Sequence, residues 1–230
     1  MKTTVKLSSE ERRAAILKAV GRVFAERGFD GTTTRARADA AGVSEALLFK
    51  HFPNKEALFS AMQQTCCNEQ DLGRFERLKA LHPSASTLVL LVHFLVSKIV
   101  GGCAGPDGEA GILNRLMLRS LAEDGEFARL LLSRLASDWA PKIEECIAAA
   151  VAAGDAVADP VLPNMGAWLT HHLAAMVALV SLPKPPVVDY GAPRKDLVEQ
   201  AVWFALRGMG LKEEAIRRDY NPKALALLER

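Results

Sequence analysis

Hydroxyl and basic side chains lie close together between residues 33 and 55, and their chemistry suits an anionic ligand. A threonine or serine hydroxyl can accept a hydrogen bond from a backbone N–H group or donate one to a phosphate oxygen. Lysine and arginine side chains add positive charge beside these hydroxyls. The pattern predicts a surface that binds the phosphate backbone of a nucleic acid. The residues with this chemistry are Thr33, Thr34, Arg35, Ser44, Lys50, His51 and Lys55.

Two short helices joined by a tight turn are predicted to position these side chains. Residues 33–40 and 44–50 each have a helical pattern, and three residues separate them. Gly42 can adopt backbone angles that a Cβ atom disfavours, and Val43 can fill the angle between the helices. Ser44 would cap the second helix, so we expect a helix-turn-helix whose second helix points at base edges. The remaining side chains that this second helix would present to DNA are Glu45, Ala46, Leu47 and Phe49.

A longer set of spaced residues extends this pattern from Arg12 to Leu58, over about a fifth of the chain. Its members are Ile16, Leu17, Phe24, Gly28, Phe29, Thr33, Thr34, Ala40, Ala41, Gly42, Val43, Ser44, Leu48, Phe49, His51, Phe52, Lys55, Glu56, Ala57 and Leu58. With these residues the segment resembles the tetracycline-repressor (TetR) family of bacterial regulators. The resemblance implies a three-helix DNA-binding domain, a larger ligand-binding and dimerisation domain, and repression that a small molecule relieves.

Three positions depart from the pattern of the family. Phe49 stands where tyrosine is common, which removes one hydroxyl that could contact a phosphate. Ala46 and Leu47 make the start of the second helix apolar, which suits contact with a thymine methyl group. Arg37 stands where the family has isoleucine or leucine. Two interpretations of Arg37 stay open: a half-buried charge that destabilises the domain, or an additional phosphate contact.

The length and the charge distribution favour two domains with different roles. Of the 230 residues, half are apolar, which is typical of a globular protein. Residues 1–60 carry 11 Lys and Arg against 7 Asp and Glu, whereas residues 61–230 carry 18 against 20. The positive charge therefore lies at the end that would meet DNA. We predict a helix-turn-helix domain over residues 1–53 and a helical effector-binding and dimerisation domain over residues 54–230.

The chain has no pattern that predicts a secreted or membrane protein. The four cysteines, Cys66, Cys67, Cys103 and Cys146, form no regular framework, which favours a reduced compartment. The run from Leu88 to Val96 is the longest strongly apolar one, and it is far shorter than the roughly 20 residues of a membrane span. We expect a cytoplasmic protein that does not interact with membranes.

Helical periodicity continues through the rest of the chain, so the predicted class is all-α. One helix is predicted to begin near Asn54 and to run into the seventies. Pro141 lies inside a further predicted helix, where the missing backbone donor should produce a kink. The other predicted helices span about 9–27, 85–100, 109–122, 126–152, 162–181 and 194–209.

The last two long helices, 162–181 and 194–209, are apolar on more than one face, which predicts two packing partners for each. One face would meet the chain's own core, and the other would meet a second copy in a four-helix interface. The alternative is a core that lies wholly within one chain. The residues predicted to form the homodimer interface are Met165, Leu169, Met176, Val198, Val202 and Ala205.

Aromatic and methionine side chains in the helical body suit a cavity for a mainly apolar effector. The alternative is a closed core without a cavity. His171 and His172 are adjacent on a helix and would point about 100° apart, so we expect no metal site there. No cofactor is expected. The predicted lining residues are Phe94, Leu113, Met117, Trp139, Trp168 and His172.

The sequence also weighs against an enzyme, because it lacks the nucleophile, phosphate-loop and metalloprotease motifs of the common classes. We therefore expect a homodimeric regulator that binds a near-palindromic operator in double-stranded DNA. A mainly apolar small molecule would release this repressor from the operator. A nucleoid-type binder without an effector is the alternative, which the sizeable apolar body disfavours.

Overall fold

A computed structural model shows a helical protein, as the sequence predicts. An isolated antiparallel bridge joins Ala156 and Leu211, and no β-strand is formed by the described residues. The residues that the structure describes are 7–27, 32–54, 57–58, 60–62, 69–101, 109–158, 162–222 and 225.

The helix boundaries agree closely with the periodicity of the sequence. The described parts of the stretch 57–62 are also helical, and the predicted helix from Asn54 otherwise falls partly outside the described residues. Helix α11 is short and was not predicted. The helices are α1 (Ser9–Arg27), α2 (Thr34–Ala40), α3 (Glu45–His51), α4 (Glu69–Lys79), α5 (Ala85–Gly101), α6 (Glu109–Ala122), α7 (Glu126–Arg134), α8 (Ala140–Ala152), α9 (Pro163–Val180), α10 (Arg194–Gly208) and α11 (Glu213–Asp219).

Packing divides the chain into two compact units, each with its own apolar core. The N-terminal unit comprises Met1–Asn68 and Asp107–Leu131. Its core joins α1 to α3 with α6 and the start of α7. The largest buried side chains of this core include Ile16, Phe24, Leu48, Phe52, Leu58, Ile112, Leu116 and Phe127.

The C-terminal unit comprises Glu69–Pro106 and Leu132–Arg230. Helix α5 is buried along most of its length, and α8, α9, α10 and α11 pack around it. The two units therefore do not coincide with the functional domains predicted to meet between residues 53 and 54. The difference arises because α6, which lies in the predicted second domain, packs on α1. The functional division remains a prediction.

The region around Pro141 differs from the predicted kinked helix. A five-residue π-helix, Leu135–Trp139, separates α7 from α8, and Pro141 lies in the first turn of α8. The missing N–H of a proline is tolerated best in such a first turn. The ring of Trp139 stacks on two phenylalanine rings, with centroid distances of 4.2 Å to Phe75 and 5.8 Å to Phe94.

Candidate DNA-binding surface

The turn between α2 and α3 has the geometry that the sequence predicts. Gly42 has a φ of 62°, which glycine adopts without the strain that a Cβ atom would add. Its N–H donates to the Asp39 carbonyl at 3.0 Å, and the N–H of Val43 donates to the Ala38 carbonyl at 3.0 Å. These two bonds end α2 and fix the direction in which the chain enters α3.

Hydroxyl caps begin both short helices. The Thr33 hydroxyl accepts a hydrogen bond from the N–H of Ala36 at 3.2 Å. The Ser44 hydroxyl accepts one from the N–H of Leu47, also at 3.2 Å. A cap of this kind contributes about 0.5–2 kcal/mol and fixes where the helix starts. Both hydroxyls still have their own hydrogen to donate to another acceptor.

The end of α3 is held by α1. Leu48 and Phe52 are buried in the core of the N-terminal unit. The Arg13 guanidinium donates to the His51 carbonyl at 2.8 Å and lies 4.4 Å from the centre of the Phe52 ring. The inner face of α3 is therefore fixed by burial and by a cation–π contact, so the outer face has a defined orientation.

The outer face of α3 is largely exposed to solvent. Glu45, Ala46 and Lys50 are exposed, and Phe49 is 48% exposed although it is a large apolar side chain. Leu47 and His51 are half-buried, so they offer less surface to a partner than Ala46 and Phe49 do.

Helix α2 adds further polar groups to this surface. Thr33 and Arg35 are exposed, and Thr34 is half-buried. Arg35 lies 4.0 Å from the Asp39 carboxylate in an exposed pair, which contributes little to stability. Lys55 lies outside the described residues.

Arg37, where two interpretations were open, bonds to its own helix. Its Nη2 group donates to the Thr34 hydroxyl at 3.0 Å, and Nε donates to the Thr33 carbonyl at 3.4 Å. Burial lowers the pKa of the guanidinium from its usual value. The sequence left a phosphate contact open for Arg37 but did not predict its hydrogen bond to Thr34, for which the spacing of three residues was the available signal.

The predicted effector-pocket residues do not form one cluster in either unit. Leu113 and Met117 belong to α6 in the N-terminal unit, and Leu113 packs against that unit's core. In the C-terminal unit, Phe94 stacks on Trp139. His172 is exposed on α9, which argues against its predicted place in an internal cavity, and its ring centroid is 6.1 Å from that of the half-buried Trp168.

A cleft in the N-terminal unit lies apart from these predicted residues. Its cavity volume is about 10 Å³, which is roughly enough for one water molecule. Polar groups from the connection between α6 and α7 form much of its wall. Its lining consists of Phe24, Leu116, Arg119, Ser120, Glu123, Asp124, Glu126 and Phe127.

The six predicted interface residues separate into exposed and buried sets. Met165, Leu169 and Met176 are exposed on α9. The three predicted residues of α10, in contrast, are buried in the core of the C-terminal unit: Val198, Val202 and Ala205. This corrects the prediction for α10, because a side chain enclosed by its own chain has no surface for a second copy. Two exposed apolar side chains were not among the predicted interface residues. Phe204 is 71% exposed on α10, and Leu162 is 64% exposed just before α9.

None of the described helices combines the length and the apolar character that crossing a membrane requires.

Comparison with known proteins places the N-terminal segment in a family. Residues 16–62 match the tetR family of bacterial regulatory proteins. A curated relative, the HTH-type transcriptional repressor Rv1474c of Mycobacterium tuberculosis, is 31% identical over 139 residues, which are 60% of this chain and 62% of that protein. The match therefore spans less than two thirds of the relative's length.

Solved structures share the fold at lower identity. NalD, the secondary repressor of the MexAB-OprM multidrug efflux pump in Pseudomonas aeruginosa, is 22% identical with a TM-score of 0.64, over 89% of this chain and 98% of that chain. AibR in complex with isovaleryl coenzyme A and operator DNA is 21% identical with a TM-score of 0.59, over 84% and 97%. Residues 16–62 of this chain thus match the DNA-binding segment of the tetR family of bacterial regulatory proteins, and the chain shares its helical fold with these solved structures.

Proposed function

We propose that this protein is a homodimeric, sequence-specific DNA-binding transcriptional regulator of the cytoplasm, and a repressor that a mainly apolar small molecule releases from its operator. The observation that carries the proposal is the outer face of α3. It exposes Ala46, Phe49 and Lys50, while Leu48 and Phe52 hold the opposite face in the core. A helix supported in this way can enter a major groove as a rigid element.

The chemistry of this surface separates into two kinds of contact. The Lys50 ammonium and the hydroxyls of Thr33 and Ser44 suit phosphate oxygens, which position a protein without reading sequence. Ala46 and Phe49 offer apolar surface that suits the methyl group of thymine. The proposal therefore assigns affinity mainly to the first kind and base preference to the second.

Selection from a pool of random DNA duplexes tests the proposal directly. We expect enriched sequences with a near-palindromic pattern, bound roughly 1,000-fold or more tightly than random duplex at the same salt concentration. Equal affinity for enriched and random duplexes would contradict a sequence-specific regulator and would indicate a nucleoid-type binder.

Changing Lys50→Gln should weaken binding to enriched and random duplexes by the same factor. The lost phosphate contact should also reduce the slope of log affinity against log salt by about 1. Fluorescence anisotropy at several salt concentrations measures both quantities. Lys195→Gln is the matched control, because Lys195 is an exposed lysine on α10 and its loss should leave the slope unchanged.

Changing Phe49→Ala should instead act on base preference. We expect roughly tenfold weaker binding to the enriched duplex, because losing the recognition of one base pair typically costs about 1–3 kcal/mol. Binding to random duplex should change little. A repeated selection with Phe49→Ala that returned the wild-type sequence at full affinity would exclude this residue from base recognition.

The homodimer is proposed from an apolar stripe on α9. Leu162, Met165, Leu169 and Met176 are exposed, and their spacing of three, four and seven residues keeps them on one side of the helix. Exposed His172 falls within the same stripe. An exposed stripe of large apolar side chains is typical of a surface that another helix covers.

The effector is proposed from the aromatic residues of the C-terminal unit. The ring of Trp139, the last residue of the π-helix, stacks on the rings of Phe75 and Phe94. Single-turn π-helices occur often at functional sites, and stacked rings can separate to admit an apolar group. The neighbour AibR was solved with isovaleryl coenzyme A, which makes branched acyl compounds the first class to test.

A small panel tests the effector proposal: isovaleryl coenzyme A, isovalerate and simple aromatic acids. At least one compound should raise the melting temperature and weaken operator binding by about 5- to 150-fold, the usual range of coupling between sites. Trp139→Ala should abolish both effects, whereas Trp203→Phe should retain them. If no compound of the panel shifts either quantity, the proposal for this ligand class is wrong.

A further inference from the structure

Arg37 places a guanidinium beside the hydroxyls that begin α2. Side chains of a helix tilt toward its N-terminus, so a residue three or four positions along reaches back to the first turn. Arg37 does this: Nη2 is 3.0 Å from the Thr34 hydroxyl oxygen, and Nε is 3.4 Å from the Thr33 carbonyl oxygen. The guanidinium and the two threonines are thus neighbours on the surface where α2 begins.

This cation has no compensating carboxylate among the described residues. Asp39, on the same helix, pairs with Arg35. On another side, the guanidinium carbon of Arg37 is 6.0 Å from the centre of the Phe24 ring, which gives a weak contact. Burial is the cause that lowers the Arg37 pKa, yet an arginine stays protonated in proteins. A partly buried cation without a counter-ion is unfavourable until an anion binds beside it.

Arg37 retains N–H donors that its hydrogen bonds within the chain do not use, and an anion could accept from them. A guanidinium has five N–H donors, and the two bonds within α2 use two of them. The Thr34 hydroxyl accepts from Arg37, so its own hydrogen remains available to donate. An oxygen of a phosphodiester could accept from the guanidinium and from this hydroxyl together, and charge-assisted bonds of that kind are the strong ones.

We propose that Arg37 and Thr34 form a phosphate-binding pair for the DNA backbone. The pair rests on the proposed function, and it adds a contact that an apolar residue at position 37 would not provide. Arg37 acts in two ways, since it orients the Thr34 hydroxyl and supplies the positive charge. Because phosphates carry no sequence information, the pair raises the affinity for all duplexes alike.

Arg37→Leu separates this role from a purely structural one. We expect about tenfold weaker binding to both enriched and random duplexes, as for a hydrogen bond to a charged group, and a salt slope lower by about 1. The melting temperature should stay the same or rise. Arg37→Lys should keep the salt slope because it keeps the charge, while losing part of the affinity because it lacks the planar fork.

Thr34 provides a second, independent readout. Thr34→Val should weaken binding and Thr34→Ser should restore it, because serine keeps the hydroxyl. The double variant Arg37→Leu with Thr34→Val should lose less than the product of the two single losses, as expected for coupled residues. If Arg37→Leu fails to fold, Arg37→Lys and the Thr34 variants still decide the question.

The control is Arg77→Leu, which removes an exposed arginine from α4 and should leave affinity and slope at wild-type values. An Arg37→Leu protein with the wild-type salt slope and wild-type affinity would overturn the proposal. So would a Thr34→Val protein with unchanged affinity. Neither result would affect the proposed function, which fails only if the wild type itself shows no preference for the enriched duplex.

Discussion

Leu169→Glu is expected to convert the protein from dimers to monomers and to remove most of its operator binding. Leu169 is 51% exposed in the single chain and lies in the middle of the α9 stripe, between Met165 and Met176. Burying a leucine contributes about 1.5–3 kcal/mol, and a carboxylate at the same place would have to lose its water. In a two-fold dimer the change is present on both copies. We expect the dimer dissociation constant to rise by roughly 100-fold or more, which corresponds to about 2.7 kcal/mol.

Two measurements decide this prediction. Sedimentation gives the mass of the wild type and of the variant at micromolar concentration, and an affinity measurement on the near-palindromic duplex gives the functional loss. Asn164→Glu is the matched control, since Asn164 is exposed on α9 but lies off the stripe. It should stay dimeric. A wild type that sediments as a monomer, or a Leu169→Glu protein that stays dimeric, would contradict the proposed interface.

The helix-turn-helix shows how far sequence reasoning reaches when the determinants are local. A left-handed turn residue at Gly42 and hydroxyl caps at Thr33 and Ser44 act over three or four residues, so they can be identified from spacing alone. A determinant of the same kind begins α1, where Ser8 and Glu11 exchange backbone and side-chain hydrogen bonds in a capping box.

Packing between distant parts of the chain could not be predicted from the sequence. The periodicity of α10 shows two apolar faces, and nothing local in its sequence says which face meets the chain's own core. In the structure α10 packs on α5, which buries Val198 and Val202 and leaves Phe204 outside. The stack around Trp139 was hidden for the same reason, because Phe75 and Phe94 come from two other helices.

Val202→Glu is therefore expected to unfold the C-terminal unit and not to produce folded monomers. Val202 lies on the inner face of α10 and is fully buried in the core of the C-terminal unit. The change removes an apolar side chain, introduces a longer one into a packed core and buries a carboxyl group. Losses above about 4–5 kcal/mol arise from such combinations, and this is a large part of the roughly 5–15 kcal/mol that stabilises a typical domain.

Circular dichroism during thermal and urea unfolding measures the effect of Val202→Glu. Its helical signal should be reduced or lost at temperatures where Leu169→Glu remains fully helical. Gln200→Glu, two residues away on the exposed side of α10, should unfold like the wild type, which shows that the new carboxyl group matters only where it is buried. If Val202→Glu instead gave a monomer with wild-type stability, α10 would present Val202 to a second copy, and the interface predicted from the sequence would be right. The comparison of these three variants thus assigns each face of the helix pair to the core or to the partner.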